Sequence, residues 1–127
     1  MSAEQKFFLC KICGSMVGRF YNKGKLICCK EEMTELVPNT VDASKEKHLP
    51  AVTVSGGVIN VQIGSEAHPM DEAHHIDFVY LETKRGGQRK ALNVGETPKL
   101  AFSVTEDDPV AVYAYCNLHG LWKTDIG

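Results

Sequence analysis

The chain has 127 residues, 43% of them hydrophobic and 24% charged, with a formal net charge of -2. That length suits one compact domain or a small core with an appendage, and the balanced charge gives no ground for expecting nucleic-acid or membrane-surface binding. No apolar run approaches the roughly 20 residues needed to cross a bilayer, and Met1 to Cys10 lacks a signal peptide's apolar core and cleavage pattern, so a cytoplasmic location is expected.

In chain order, residues 1–37 form a first segment: a Cys10-Lys-Ile-Cys13 turn, the short run Met16 to Tyr21, an Asn22-Lys-Gly24 turn, then Lys25-Leu-Ile27 entering Cys28-Cys29. Two short strands around the Asn22–Gly24 turn are predicted. The segment has too few apolar residues to hold itself together, and a tetrathiolate metal would supply what is missing. Residues 38–48 are polar and read as a linker or a single helical turn.

From Leu49 onward the pattern is that of strands. Ala51–Val54, a Ser55-Gly-Gly57 turn and Val58–Ile63 make a hairpin, with Ile59, Val61 and Ile63 on one face. Ile76–Leu81, Gln88–Leu92, Lys99–Val104 and Val110–Tyr115 supply four further strands. Short strands about 8 to 14 residues apart, with Gly/Pro turns and no long helical period, predict an all-β chain built around a β-sandwich.

Five cysteines and five histidines are distributed unevenly. Cys10, Cys13, Cys28 and Cys29 fall within the first segment, and every histidine falls after it. An odd, clustered set in a reducing compartment reads as metal ligation. Cys-x-x-Cys followed by a second pair can close a tetrahedron around one ion. The second pair is adjacent, however, and neighbours on an extended backbone point to opposite sides, so local distortion is required. A zinc knot, a disulfide pair and an iron-tetrathiolate redox centre all remain open at this point.

His48, His68, His74, Cys116 and His119 sit at strand ends, where loops from one end of a sandwich can converge. Four imidazoles and a thiolate exceed the four ligands zinc prefers; they suit an ion with five or six positions, such as iron. An axial thiolate would push charge toward a bound oxygen species, as in cysteine-ligated haem. The chemistry implied is one-electron reduction of a small oxygen anion. Phe78, Tyr80, Phe102, Tyr113, Tyr115 and Trp122 read as core or site-lining residues.

The segments Cys10-Lys-Ile-Cys13-Gly14, Cys28-Cys29, Glu46-Lys47-His48-Leu-Pro50, His68-Pro-Met70, His74 and Tyr115-Cys116-Asn-Leu-His119-Gly-Leu-Trp122-Lys123 together resemble desulfoferrodoxin, the two-iron class of superoxide reductase. The resemblance covers essentially the whole chain. It implies a small desulforedoxin-like N-terminal domain, residues 1–37, with iron on Cys10, Cys13, Cys28 and Cys29. A 38–48 linker would lead into an immunoglobulin-like β-sandwich, residues 49–127, carrying a second iron. His48, His68, His74 and His119 would be its equatorial ligands, and Cys116 the axial one. The resemblance further implies superoxide as substrate, hydrogen peroxide as product, an external donor such as rubredoxin, and a homodimer. Glu46 would close the open position of the oxidised site, and Lys47 would steer superoxide and assist protonation. The N-terminal iron would serve as an electron store. His75 has no place in the motif and is expected on the surface or behind the ligands. The alternatives are a dismutase, and an electron carrier or zinc-stabilised binding module without superoxide chemistry.

Overall fold

The computed structural model describes residues 5–21 and 23–126. The chain divides into two compact units, Met1–Val37 and Pro38–Gly127.

The first unit contains β1 (Lys6–Leu9), β2 (Met16–Arg19), β3 (Ile27–Cys28), β4 (Glu31–Glu32) and β5 (Thr34–Leu36). They form an antiparallel sheet in the order β2-β1-β5 and a separate β3–β4 ribbon. The expected pairing of the Met16 run with Lys25–Ile27 does not occur, and Asn22 of that turn lies outside the described residues. Instead β2 folds back onto β1, Phe8 opposite Val17, because the Cys10–Gly14 turn reverses the chain immediately. That turn is closed by Gly14 N–H donating to the Cys10 carbonyl and Cys10 N–H to the Ser15 carbonyl, both at 2.8 Å. Strand β1, not foreseen from the sequence, buries Phe7 and Phe8. The core is thin: Phe8, Cys10 and Met33, with Leu26 and Cys28 packed against them. Ile12, Phe20, Tyr21 and Ile27 all remain exposed.

The second unit holds one helical turn, α1 (Lys45–His48), and seven strands: β6 (Pro50–Ser55), β7 (Val58–Ile63), β8 (Ile76–Thr83), β9 (Gly87–Ala91), β10 (Lys99–Ser103), β11 (Pro109–Cys116) and β12 (Gly120–Asp125). The hairpin and the four strands expected after it are all present; β12 is additional. Antiparallel sheets in the orders β10-β7-β6 and β12-β11-β8-β9 face each other as a β-sandwich. Between them lie Ile59, Val61 and Ile63 of β7, Phe102 of β10, Val79 and Leu81 of β8, and Val112, Ala114 and Cys116 of β11. The sandwich is tied along both open sides by side chains. Thr124 Oγ1 donates to the Pro50 carbonyl at 2.7 Å, while on the other side Lys90 Nζ and Gln88 Nε2 donate to the Ala101 and Ser103 carbonyls at 2.6 and 2.8 Å.

Strand register locates the site. Pro50 pairs with Ile63, and Cys116 pairs with both Ile76 and Gly120. The start of β6, the end of β7, the start of β8, the end of β11 and the start of β12 therefore share one end of the sandwich. Beside Cys116 the β8–β11 register slips, so that Tyr115 faces Phe78 but Cys116 faces Ile76. Asp77 is the extra residue, a bulge of the kind that re-aims side chains at sites.

Candidate functional site

Cys10, Cys13, Cys28 and Cys29 offer four sulfurs within 4.8 Å of one another. Two backbone devices achieve this. In the first turn, the Cys13 N–H donates to Cys10 Sγ at 3.5 Å. In the β3–β4 ribbon, the two connecting residues Cys29 and Lys30 both adopt positive φ, 52° and 66°. That is the mirror-image turn normally left to Asn and Gly; here it supplies the distortion that adjacent cysteines need to face one point. Cys13 and Cys28 Sγ lie 3.6 Å apart, Cys28 and Cys29 Sγ 3.9 Å. A tetrahedral ion with bonds of about 2.3 Å sets its sulfurs about 3.8 Å apart, so the group fits a single tetrathiolate metal. The protonation pattern agrees. Ser15 hydrogen bonds, aided by Cys28 and Cys10, pull the Cys13 thiol down to about 6, and the same crowded contacts with Cys13 and Cys10 push Cys28 up to about 12. Sulfurs this close cannot all be ionised without a cation between them.

In the second unit, ligand atoms of His48, His68, His74 and Cys116 also lie within 4.8 Å of one another. His119 joins through Nδ1, 3.0 Å from His48 Nε2 and 3.8 Å from Cys116 Sγ. Ring tautomers are set from behind. His48 Nδ1 lies 2.6 Å from the Ser44 carbonyl and His68 Nδ1 2.7 Å from the Pro69 carbonyl. Each Nδ1 therefore carries the proton, and each Nε2 lone pair points inward. His68 Nε2 and His74 Nε2 are buried without a hydrogen-bond partner among the described residues. Unpaired buried nitrogens are costly, and two converging on two further imidazoles are what a metal would satisfy. The 3.0 Å between His48 Nε2 and His119 Nδ1 matches neighbouring nitrogens at right angles on bonds of about 2.1 Å.

The electrostatics point the same way. Burial lowers the pKa of His48, His68 and His74, with neighbouring imidazoles adding to the effect, and His68 falls to about 4. These rings are neutral, as metal ligation requires, at neutral pH. Burial raises the Cys116 thiol, which the Leu118 and His119 backbone N–H groups oppose; a cation would be needed to ionise it. Trp122 stacks on His48 at 4.9 Å and donates to the His119 carbonyl at 3.1 Å, lining the site.

Lys47 is exposed, and its charge contributes to lowering both His48 and His74. Glu46 lies outside the ligand cluster. Its carboxylate accepts from its own N–H and from Ser44 Oγ, the latter at 3.0 Å, and these bonds lower its pKa. His75 is also outside, with Nδ1 2.9 Å from the Asp71 carbonyl and Nε2 2.8 Å from the Asp77 carboxylate.

The sequence reading missed the supports: the Ser44 and Pro69 carbonyls, Asp71, Asp77 and Asn117. Only Ser44 had a legible signal, since it stands four residues before His48, one helical turn away. A concavity of about 570 Å³ over β6, β7 and β10 contains none of the candidate ligands.

The family model described as Desulfoferrodoxin matches residues 40–125. A desulfoferrodoxin of Syntrophotalea carbinolica is 38% identical over 126 residues, covering 98% of this chain and 99% of its own. A desulfoferrodoxin homolog of Archaeoglobus fulgidus is 37% identical over 125 residues, covering 98% and 99%. Among solved structures, the superoxide reductase from Treponema pallidum is 36% identical, with a TM-score of 0.81 over 97% of this chain and 100% of that one. With relatives aligned along nearly its whole length, and two metal-ready groups at the expected positions, the chain belongs to the desulfoferrodoxin family.

Proposed function

We propose that the chain is a superoxide reductase with two iron ions, one on Cys10, Cys13, Cys28 and Cys29, the other on His48, His68, His74, His119 and Cys116. The observation that carries this reading is the set of inward-facing imidazole lone pairs beside the buried Cys116 thiol. Five donors from one chain leave room for a small ligand on an ion that takes six. The Treponema pallidum structure and a Pyrococcus furiosus relative are named superoxide reductases, which supports superoxide as the substrate.

Iron held by these residues would supply the single electron that superoxide needs, with two protons, to become hydrogen peroxide. The protein's part is positioning and electrostatics. His48, His68, His74 and His119 would hold the ion as neutral rings without cancelling its charge, and the Cys116 thiolate would donate electron density that favours release of the reduced product. Lys47, exposed beside His48 and His74, attracts the incoming anion and orders water for proton delivery. Glu46, on the same helical turn, closes the site after turnover by leaving Ser44. An external one-electron donor such as rubredoxin would supply the electrons for turnover, and an iron held by Cys10, Cys13, Cys28 and Cys29 would store one. The chain works as a cytoplasmic homodimer.

Peroxide yield tests the reading. With donor present, a reductase gives one hydrogen peroxide per superoxide consumed. A yield of one half would make the protein a dismutase, and no superoxide consumption by the iron-loaded protein would leave a carrier or a zinc-stabilised module.

A further inference from the structure

We infer that Asn117 is a positioning residue that ties the Cys116 thiolate to the His74 imidazole; the inference rests on the metal reading above.

His74 is carried by the loop 64–75, between β7 and β8. A connection of this kind is mobile unless it is tied down. Its last residues, Ala73 to His75, bond with Asn117, the residue directly after Cys116. The Asn117 side-chain carbonyl accepts the His75 N–H at 2.8 Å. Its amide donates to the Ala73 carbonyl at 3.0 Å, and its backbone N–H to the His75 carbonyl at 3.1 Å. One residue thus grips the chain on both sides of His74, using the donor and the acceptor that only a carboxamide of this reach offers together.

The rest of the loop end closes around the same point. The His74 N–H donates to Asp71 Oδ1 at 2.9 Å, and the Asp71 N–H returns to the His74 carbonyl at 3.1 Å. His75 is held between the Asp71 carbonyl and the bulged Asp77, so its ring braces the loop against β8. Among the described residues, no backbone hydrogen bond joins His74 to Cys116. The distance between thiolate and imidazole is therefore set by Asn117, with His75 and Asp71 as the frame it grips.

The test uses the full-length chain, cobalt(II) as the metal probe, and Asn117→Ala. The expected result is a roughly tenfold weaker cobalt affinity at the His/Cys centre and a shifted thiolate-to-cobalt absorption there. The His75 amide should exchange with solvent at least tenfold faster, while the absorption of the tetrathiolate centre stays unchanged. Asn60→Ala, an exposed asparagine on β7, should alter none of these. Unchanged cobalt affinity, absorption and His75 exchange in Asn117→Ala would overturn the inference. Should that variant not fold, Asn117→Ser, too short to span both partners, must show the same changes at smaller amplitude, and wild-type behaviour there overturns it equally. If the wild-type chain shows no cobalt absorption that Cys116→Ala removes, the metal reading itself is wrong.

Discussion

The two metal groups are built on opposite principles. The N-terminal group has almost no core beneath it: its buried cluster is Phe8, Cys10 and Met33, and one of the three is itself a candidate ligand. Its sulfurs are positioned by turns, one of them in a left-handed backbone at Cys29 and Lys30 that costs energy for residues with a Cβ. The second group hangs from a sandwich whose core runs through both sheets and includes Cys116 as a packed residue. A metal can create the first fold, whereas the second fold creates its metal site. Metal ligation would therefore have unequal structural consequences in the two halves.

The largest expected effect follows from that contrast. Stripping metal with a chelator should unfold residues 1–37, since structural tetrathiolate sites carry about 10–16 kcal/mol of binding energy. The sandwich should keep its amide dispersion in two-dimensional NMR. A metal-free spectrum with both halves still dispersed would erase the distinction.

A second expectation concerns acid. In the metal-free sandwich, His68 is neutral down to about pH 4, against an ordinary 6.5. Between those values the unfolded chain binds the extra proton, so this contribution is complete above pH 6.5 and is lost as pH falls toward 4. A loss on the order of 3 kcal/mol should appear as a falling melting temperature between pH 7 and pH 4.5. Trp122, the single tryptophan, is the probe. A flat profile would mean that the cage is not preformed.

Gly64→Ala probes how the cage is hung. Gly64 has a φ of +82°, and a Cβ there would lie 2.7 Å from the Glu46 and Lys47 carbonyl oxygens and closer still to that of Glu66. The Glu66 N–H and the Ser65 hydroxyl both donate to the Glu46 carbonyl, so this turn seats α1. The substitution should destabilise the sandwich by about 1–3 kcal/mol in denaturant titration and weaken metal retention through His48. The N-terminal centre should not respond.

The smallest effect is kinetic. Lys47→Ile should slow the second-order reaction with superoxide by up to about tenfold at low salt and flatten its ionic-strength dependence. Pulse-generated superoxide with optical detection measures both. An unchanged rate at every ionic strength would remove Lys47 from the reaction.

Much of the sandwich was legible because its strands are β-branched, alternating and bounded by Gly and Pro. Val58–Ile63 shows this most clearly, burying Ile59, Val61 and Ile63 on one face as the period of two requires. The two groups that the fold gathers were legible from residue type and strand-end position. The N-terminal pairing was not. Nothing in Lys25-Leu-Ile-Cys28 says that its partner lies beyond a turn made of cysteine and lysine in a conformation that neither favours. Strand β12 is hidden because its first four residues, Gly120 to Lys123, belong to the motif that starts at Tyr115. The supports of His48 and His68 are backbone carbonyls, which every residue possesses, so only the fold can reveal which ones serve.

The bonds from Lys90 and Gln88 to the β10 carbonyls have a consequence for the protein in concentrated solution. Strand β10 ends its sheet, and a bare edge of this kind is a template on which a foreign strand can add. Here the Ala101 and Ser103 acceptors are already occupied, and an approaching strand would also meet the lysine's charge. A chain so rich in short strands is thereby blocked from edge-to-edge polymerisation on that side, and a substitution chosen for any other purpose at Lys90 carries an aggregation hazard.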